Sequence, residues 1–413
     1  MTPPGAAIDE VLVSQEFARD PYPTYRQLLD LDSPYRSDAR GGWLVARFDH
    51  VIEAFRDWEH FSSEGRVRTL LDHFSDDEWA RLAGLARWSS LKGIIHSDPP
   101  DHSRMRGPLG KALTRRLVEQ LRPDVQRIVD QLLDAVADRG EMDVVGDLAA
   151  VLPSAVISEL LGVPAEDRLR FMAWSDTVLG LQGNRRASFD VAMRAQEAYA
   201  CLQDYFVALI DDRRRHPRGG ADHEDLLTSL VEAAAEEGVP HGELVQSCVT
   251  LLMGGFETTT SLIANTVVLL LSDRDQLEAL RAEPALMDRA IEESLRYESP
   301  IQTITRRVAK DVRVGDEVLR EDDLAILMIG AANRDPRQFA EPDRFDIRRD
   351  SRQIAFGFGI HFCVGAPLAR LEAPIAISSL LHRMPDLELA DDEVHWNVDK
   401  TVTRCPATLP VTF

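Results

Sequence analysis

Lysine is nearly absent from this 413-residue chain: of its 47 basic residues only Lys92, Lys111, Lys310 and Lys400 are lysines, a bias to which no function is attached. A basic excess is missing as well, since 47 Lys and Arg face 69 Asp and Glu and leave a formal net charge of −22. That balance argues against nucleic acid or an anionic membrane as the main partner. Cysteine is scarce. Cys201, Cys248, Cys363 and Cys405 lie far apart, with no CxxC pair and no disulfide-dense spacing, which fits a reducing compartment. The N-terminal stretch MTPPGAAIDE lacks the basic head and apolar core of a signal peptide, so a cytoplasmic location is expected. Long hydrophobic runs reduce to one, Leu244 to Ser272, in which Glu257 is the only formal charge. A carboxylate at mid-bilayer is costly without a partner, and Gly254, Gly255 and Thr258 to Thr260 fall near the segment's centre. The run therefore reads as a buried helix with a functional interruption, and no membrane association is expected.

What is present suits a globular chain. An apolar fraction of 44% and a charged fraction of 28% allow a large buried core. The length admits two or three domains, or one large one. Asp20 to Leu29 has helical spacing behind two prolines, and Gly42 to Phe48 alternates as a strand does. From Arg104 onward apolar residues recur at three and four, marking helices over Asp124 to Ala137, Leu148 to Leu161, Val191 to Arg215, Glu224 to Glu236 and Leu244 to Leu271. Pro164, Gly183, the Pro217 to Gly220 turn, Gly238 and Pro240 punctuate these stretches as turns, not as linkers. A further helix is expected over Ala285 to Arg296, and Arg313 to Met328 alternates about Gly315 and Asp316 as a hairpin does. The fold class expected is mainly α with small β-sheets (α+β). It forms a single domain over 1–413, α-rich near 95–300 and 353–385, with sheets near 42–48 and 312–330.

One cysteine stands apart. Phe356 to Arg370 reads FGFGIHFCVGAPLAR: a glycine-bearing loop, a cysteine and a helix-forming tail. Gly359 and Gly365 permit tight turns and the close approach of a flat ligand, and main-chain N–H groups in such a loop can point at a thiolate. Cys363 precedes a helix starting near Ala366, whose N-terminal dipole also favours a negative sulfur. Cys201, Cys248 and Cys405 read as inert packing.

Phe356, Gly359, Cys363 and Gly365 fit an FxxGxxxCxG pattern, and through them the chain resembles the cytochrome P-450 family of haem-thiolate enzymes. The resemblance implies that family's fold, with haem b buried between a long oxygen-binding helix and the cysteine-loop helix. It makes Cys363 the axial thiolate on iron, packs Phe356 beside the loop and sets His361 at a haem propionate. Further motifs follow the family order. Gly254, Gly255, Phe256, Glu257, Thr258 and Thr259 occupy the slots of the oxygen-binding AGx(D/E)TT motif, with glycine at 254 where alanine is common. Thr258 would then hold dioxygen or an ordered water, and Glu257 would relay protons. Glu293 and Arg296 match ExxR and share a helix face. With Arg344, in the PDRF stretch beyond the NRDP turn at Asn333, they imply a buried charge network bracing the cysteine loop. Asp98 to Arg106, DPPDHSRMR, matches the haem-flanking segment and makes His102 and Arg106 propionate ligands; Arg306 is preferred to Arg307 as a third cation.

By the same resemblance the substrate pocket is walled by 66–95, 179–195, the long helix at 250 and 253, 301–304 and 401–403. The candidate lining residues are Trp88, Ile94, Thr250, Met253, Gly254, Ile301, Ile304 and Val402. They imply a hydrophobic small molecule of secondary metabolism, such as a terpenoid, steroid, polyketide or fatty-acyl compound. No reductase segment follows Phe413, so electrons from NAD(P)H are expected through a ferredoxin and its reductase, docked on a basic patch of Arg104, Lys111, Arg115, Arg116 and Arg370. The implied activity is a monooxygenase with dioxygen as co-substrate, hydroxylating or epoxidising as a monomer. A peroxide-driven peroxygenase usually replaces the acid and alcohol at 257 and 258, and a noncatalytic haem sensor or carrier has no need of them.

Overall fold

Small polar residues stand just ahead of several helices in the computed structural model, which describes residues 4–65, 73–90, 92–182, 187–220, 223–391, 393–400 and 402–413. The Ser188 hydroxyl accepts from the Val191 N–H at the start of Phe189–Arg215. Thr114 does the same for Arg115–Gln120, and Asp273 for Arg274–Ala282. The described residues are mainly helical with small sheets, as expected, and the chain divides into two compact units.

The first unit comprises residues 1–62, 126–150 and 258–413 and holds the principal sheet. Its strands lie in the order Tyr35–Ser37, Gly42–Val45, Leu324–Met328, Thr303–Val308 and Phe61–Ser62. Ala325 pairs with Trp43 in parallel and with Arg306 antiparallel. All five residues of Leu324–Met328 are buried, so this strand is covered on both faces and lacks the alternation of a surface hairpin. That is why the hairpin expected over 313–328 is smaller: only Val312–Val314 and Glu317–Leu319 pair about the turn. Gly315 takes φ +58 there, and a β-carbon on it would stand 2.9 Å from the Ser33 hydroxyl. Val45, Phe55, Phe61, Val308 and Leu327 form a core cluster, against which Ile301, Ile304 and Phe358 pack. The helices Met287–Tyr297 and Ala366–Arg383 pack on each other within this unit.

The second unit comprises residues 63–125 and 151–257 and is helical. Arg168–Gln182 packs along Phe189–Arg215, and Leu226–Glu236 packs on Asp101–Ala112. Arg213, fully buried, pairs with Asp225 at 2.5 Å where the chain turns between two of these helices. The helix expected from Leu148 begins instead as a π-helical stretch, Val144–Ala149, and becomes regular at Val151–Leu160.

His241–Ser272 is one α-helix of 32 residues, divided between the units after Glu257. The expected interruption is absent, for the α-helix continues through both glycines. Gly255 serves close packing instead: a β-carbon there would stand 2.9 Å from the Ile157 side chain. Among the described residues no helix is long and apolar enough to cross a membrane.

Candidate active site

The cysteine loop belongs to the first unit, as does the helix Met287–Tyr297, whose acidic residues bond the segments on either side of it. Glu293 and Arg296 lie one turn apart on that helix, both wholly buried, and form a bidentate pair with both contacts at 2.8 Å. Arg296 also donates to three main-chain carbonyls, Asn333 O at 3.0 Å, Pro342 O at 2.9 Å and Arg344 O at 3.2 Å. These five bonds use all five N–H groups of a guanidinium. Glu293 in turn accepts from the Asp346 N–H, Arg349 Nε and the Ser351 hydroxyl.

Arg344 differs from the expectation. It joins the network through its carbonyl oxygen, while its guanidinium is 58% exposed and faces Glu341. The cation that completes the pair is Arg349, 3.1 Å from Glu293. Which arginine of a basic loop turns inward is decided by the loop's path, which the motif does not encode. The neighbouring Glu292, invisible beside the motif glutamate, holds both sides of the cysteine loop. It accepts from Gln353 at 2.9 Å and from Arg370 Nε at 2.6 Å, and Arg370 stacks over the Phe356 ring at 4.5 Å.

Within the loop, Gly359 takes φ +69, and a β-carbon on it would stand 2.8 Å from Phe55 O, so no other residue allows the loop to lie so close to the helix Phe48–Arg56. Gly365 needs no special backbone. It is the N-cap of Ala366–Arg383 at φ −82, and its open side faces sulfur, with a β-carbon placed 3.9 Å from Cys363 Sγ. Cys363 is half-buried two residues ahead of that cap, its N–H donating to Phe356 O at 2.9 Å. The positive end of an 18-residue helix therefore lies beside a half-buried cysteine. His361 closes the short Gly359–His361 turn and is half-buried.

Arg306 is the inward residue of its pair. It is 4% exposed, lies 5.7 Å over the Phe55 ring and donates to Thr305 O, whereas Arg307 turns out to Asp322 at 2.9 Å. Ile301 and Ile304 are half-buried on the same unit's core. Thr258, half-buried, opens this unit's share of the long helix.

The second unit carries the other candidates. His102, 3% exposed, and Arg106 lie one turn apart on Asp101–Ala112. Glu257 is buried, and Met253 is buried one turn before it. Gly254 is exposed, and a β-carbon on it would meet nothing within 4 Å, so open space adjoins the helix there; Thr250 is half-buried. Trp88 and Ile94 are buried, Trp88 with its ring 4.8 Å from that of Tyr199. Parts of the expected pocket walls, 66–72, 91, 183–186 and 401, lie outside the described residues; Val402 is half-buried.

The expected basic patch is largely neutralised. Arg104 pairs with Asp101 and Glu243, Lys111 with Glu237 at 2.8 Å, and Arg370 with Glu292. Of the other cysteines only Cys248 is buried packing, and burial pushes its thiol up to about 12; Cys405 is half-buried, and Cys201, against the expectation, is exposed on the surface of its helix.

These residues fit a haem. Among the described residues no three His, Cys, Asp or Glu side chains gather to hold a metal ion. The half-buried Cys363 is a soft donor of the kind suited to an iron whose other ligands come from a macrocycle. The buried Arg306 guanidinium suits a macrocycle bearing carboxylates.

Comparison with known proteins agrees. The family model described as Cytochrome P450 matches residues 70–406. Cytochrome P450 107B1 of Saccharopolyspora erythraea is 40% identical over 95% of this chain and 95% of its own, and Cytochrome P450 monooxygenase PikC of Streptomyces venezuelae is 41% identical over 92% of this chain and 88% of its own. Among solved structures, P450BioI in complex with a fatty-acyl-ligated acyl carrier protein superposes with a TM-score of 0.87 at 33% identity, covering 97% of this chain and 100% of that one. A cysteine braced ahead of a helix, inside a chain matched along nearly its whole length, makes this protein a member of the cytochrome P450 monooxygenase family, which implies haem b and dioxygen.

Proposed function

We propose that the chain oxidises a hydrophobic small molecule of secondary metabolism, inserting one atom of dioxygen by hydroxylation or epoxidation, with Cys363 as the thiolate that would hold its haem iron. The observation that carries this reading is the half-buried Cys363 at the head of Ala366–Arg383, held from both sides through Glu292. The haem, when bound, supplies iron-centred activation of dioxygen. Every other contribution is the protein's own. Arg306 and Arg106 would neutralise haem carboxylates and His102 and His361 would hydrogen-bond them, since anions are costly to bury unpaired. The buried Glu257 carboxyl would relay protons from solvent toward the reacting oxygen, and the Thr258 hydroxyl would hold dioxygen or an ordered water by hydrogen bonding. The apolar side chains of Ile301 and Ile304, and by the family resemblance that of Met253, would favour an apolar substrate over water.

Names among the relatives support the substrate class. They include a polyketide biosynthesis P450 and a biotin biosynthesis P450, and P450BioI is described with a fatty-acyl-ligated carrier protein. A polyketide or fatty-acyl compound is the class we favour, with electrons from NAD(P)H delivered by a ferredoxin and its reductase. The domain organisation we propose is one catalytic domain over 1–413, acting as a cytoplasmic monomer.

The test is spectroscopic. Reduced holoprotein under carbon monoxide is expected to show the red-shifted thiolate Soret band, and Cys363→Ala to lose it; a variant that keeps the band ends the assignment. Thr258→Ala is expected to retain the band while most of its NAD(P)H consumption yields peroxide instead of product.

A further inference from the structure

Asn265 is a polar side chain in the middle of the long helix, wholly buried and seven residues beyond Thr258. Seven residues are nearly two turns, so Asn265 lies on the same helix face as Thr258, about 10 Å further along. Its Nδ2 donates to Glu298 O at 3.1 Å and to Arg404 O at 3.0 Å. Because both partners are carbonyls, only the amide's donor end can face them. No described protein group donates to the buried Oδ1. The side chain is thus retained for its two donors, at the expense of an unsatisfied acceptor.

The two carbonyls flank a small piece of β structure. Glu298 is the C-cap of Met287–Tyr297, after which the chain runs into Ile301 to Ile304; Arg404 ends the segment that begins at Val402. The two segments pair antiparallel at Ile301 and Thr403, through Gln302 N–H to Val402 O at 2.8 Å and Arg404 N–H to Pro300 O at 2.9 Å. Arg404 and Glu298 lock them together further by an ion pair, and the Arg404 guanidinium donates to Ala18 O and Arg19 O. The paired segments thus behave as one piece, and a single carboxamide ties both of its strands to the helix that bears Thr258.

We propose that Asn265 is a positioning residue for substrate selectivity, its amide setting how far the paired segments 301–304 and 402–404 stand from Thr258. The proposal rests on the monooxygenase reading, in which these segments wall the pocket. A substrate leaning on Ile301, Ile304 or Val402 would be offered to the reacting oxygen at a height fixed by this link. Moving the segments by an ångström would change which ligands fit without touching a group that handles oxygen or protons.

The experiment uses ferric holoprotein and two probes read by haem difference spectra, imidazole and the bulkier 4-phenylimidazole. In Asn265→Leu, close in shape but without donors, the thiolate carbon monoxide band and the imidazole affinity are expected to stay within about two-fold of wild type. The 4-phenylimidazole affinity should change about five-fold or more, and the Gln302 and Arg404 amides should exchange hydrogen faster. Asn265→Ser, which keeps one hydroxyl donor, should fall between the two and serves where the leucine variant does not fold. Unchanged phenylimidazole affinity together with unchanged exchange in a folded variant overturns the proposal. Loss of the thiolate band in wild type would instead overturn the monooxygenase reading, and the exchange comparison would stand apart from it.

Discussion

Arg296 has no donor to spare. Each of its five N–H groups is committed, two to Glu293 and three to carbonyls of the stretch that leads to the cysteine loop. Removing one partner of such a buried pair strands the other charge, so Arg296→Ala or Glu293→Ala is expected to cost about 3–5 kcal/mol. Lysine offers only three donors at one point, so Arg296→Lys should recover little of that loss. Arg344→Ala keeps the carbonyl that Arg296 uses and discards an exposed guanidinium, so it should stay within about 0.5 kcal/mol of wild type. Thermal unfolding of the four variants checks the ranking, and an Arg344→Ala loss as large as that of Arg296→Ala would refute it. The motif pair was legible in the sequence because its two residues share one helix turn. Arg349, Glu292 and Asn265 were not, since their partners lie far along the chain and only the folded path selects them.

At the scale of elements, Ala366–Arg383 carries a carboxyl with no polar company. Glu372 is 1% exposed, neither of its oxygens has a hydrogen-bond partner among the described groups, and burial holds its carboxyl well above the usual carboxylate range. The unfolded chain releases this proton near the ordinary value while the folded chain keeps it. Folded stability therefore falls as pH rises through the window between the two, by up to about 1.4 kcal/mol per pH unit. Glu372→Gln lacks that titration. Its unfolding temperature is expected to gain steadily on wild type between about pH 5 and pH 8, and a pH-independent difference would show that Glu372 ionises normally. Elements were largely readable beforehand: Gly238 and Pro240 separate Leu226–Glu236 from the long helix, and Cys363 does precede a helix at Ala366. The strand Leu324–Met328 pairs with Gly42–Val45 and Thr303–Val308 and not within the expected hairpin, because uniform burial erases the alternation that marks one.

For the whole molecule, the chain passes between its two compact units four times, after residues 62, 125, 150 and 257. Two of those passages fall inside helices, Arg122–Asp134 and His241–Ser272. A helix propagates cooperatively through its own hydrogen bonds, so melting one part destabilises the rest. Circular dichroism and tryptophan fluorescence are therefore expected to report coincident unfolding, with Trp43, Trp58 and Trp396 in one unit and Trp79, Trp88 and Trp174 in the other. Two separated midpoints would show that the units melt independently. Neither unit is a continuous stretch of sequence, which is why composition and turn signals gave no hint of the division.

The ranking of the cysteines has a practical consequence. Thiol reagents attack the thiolate, and Cys248 is both buried and held in its protonated form. If Cys363 holds iron as proposed, the exposed Cys201 on Phe189–Arg215 becomes the natural attachment point for a dye, a spin label or an electrode tether. Motion or electron delivery could then be followed in the native chain without first engineering a handle into it.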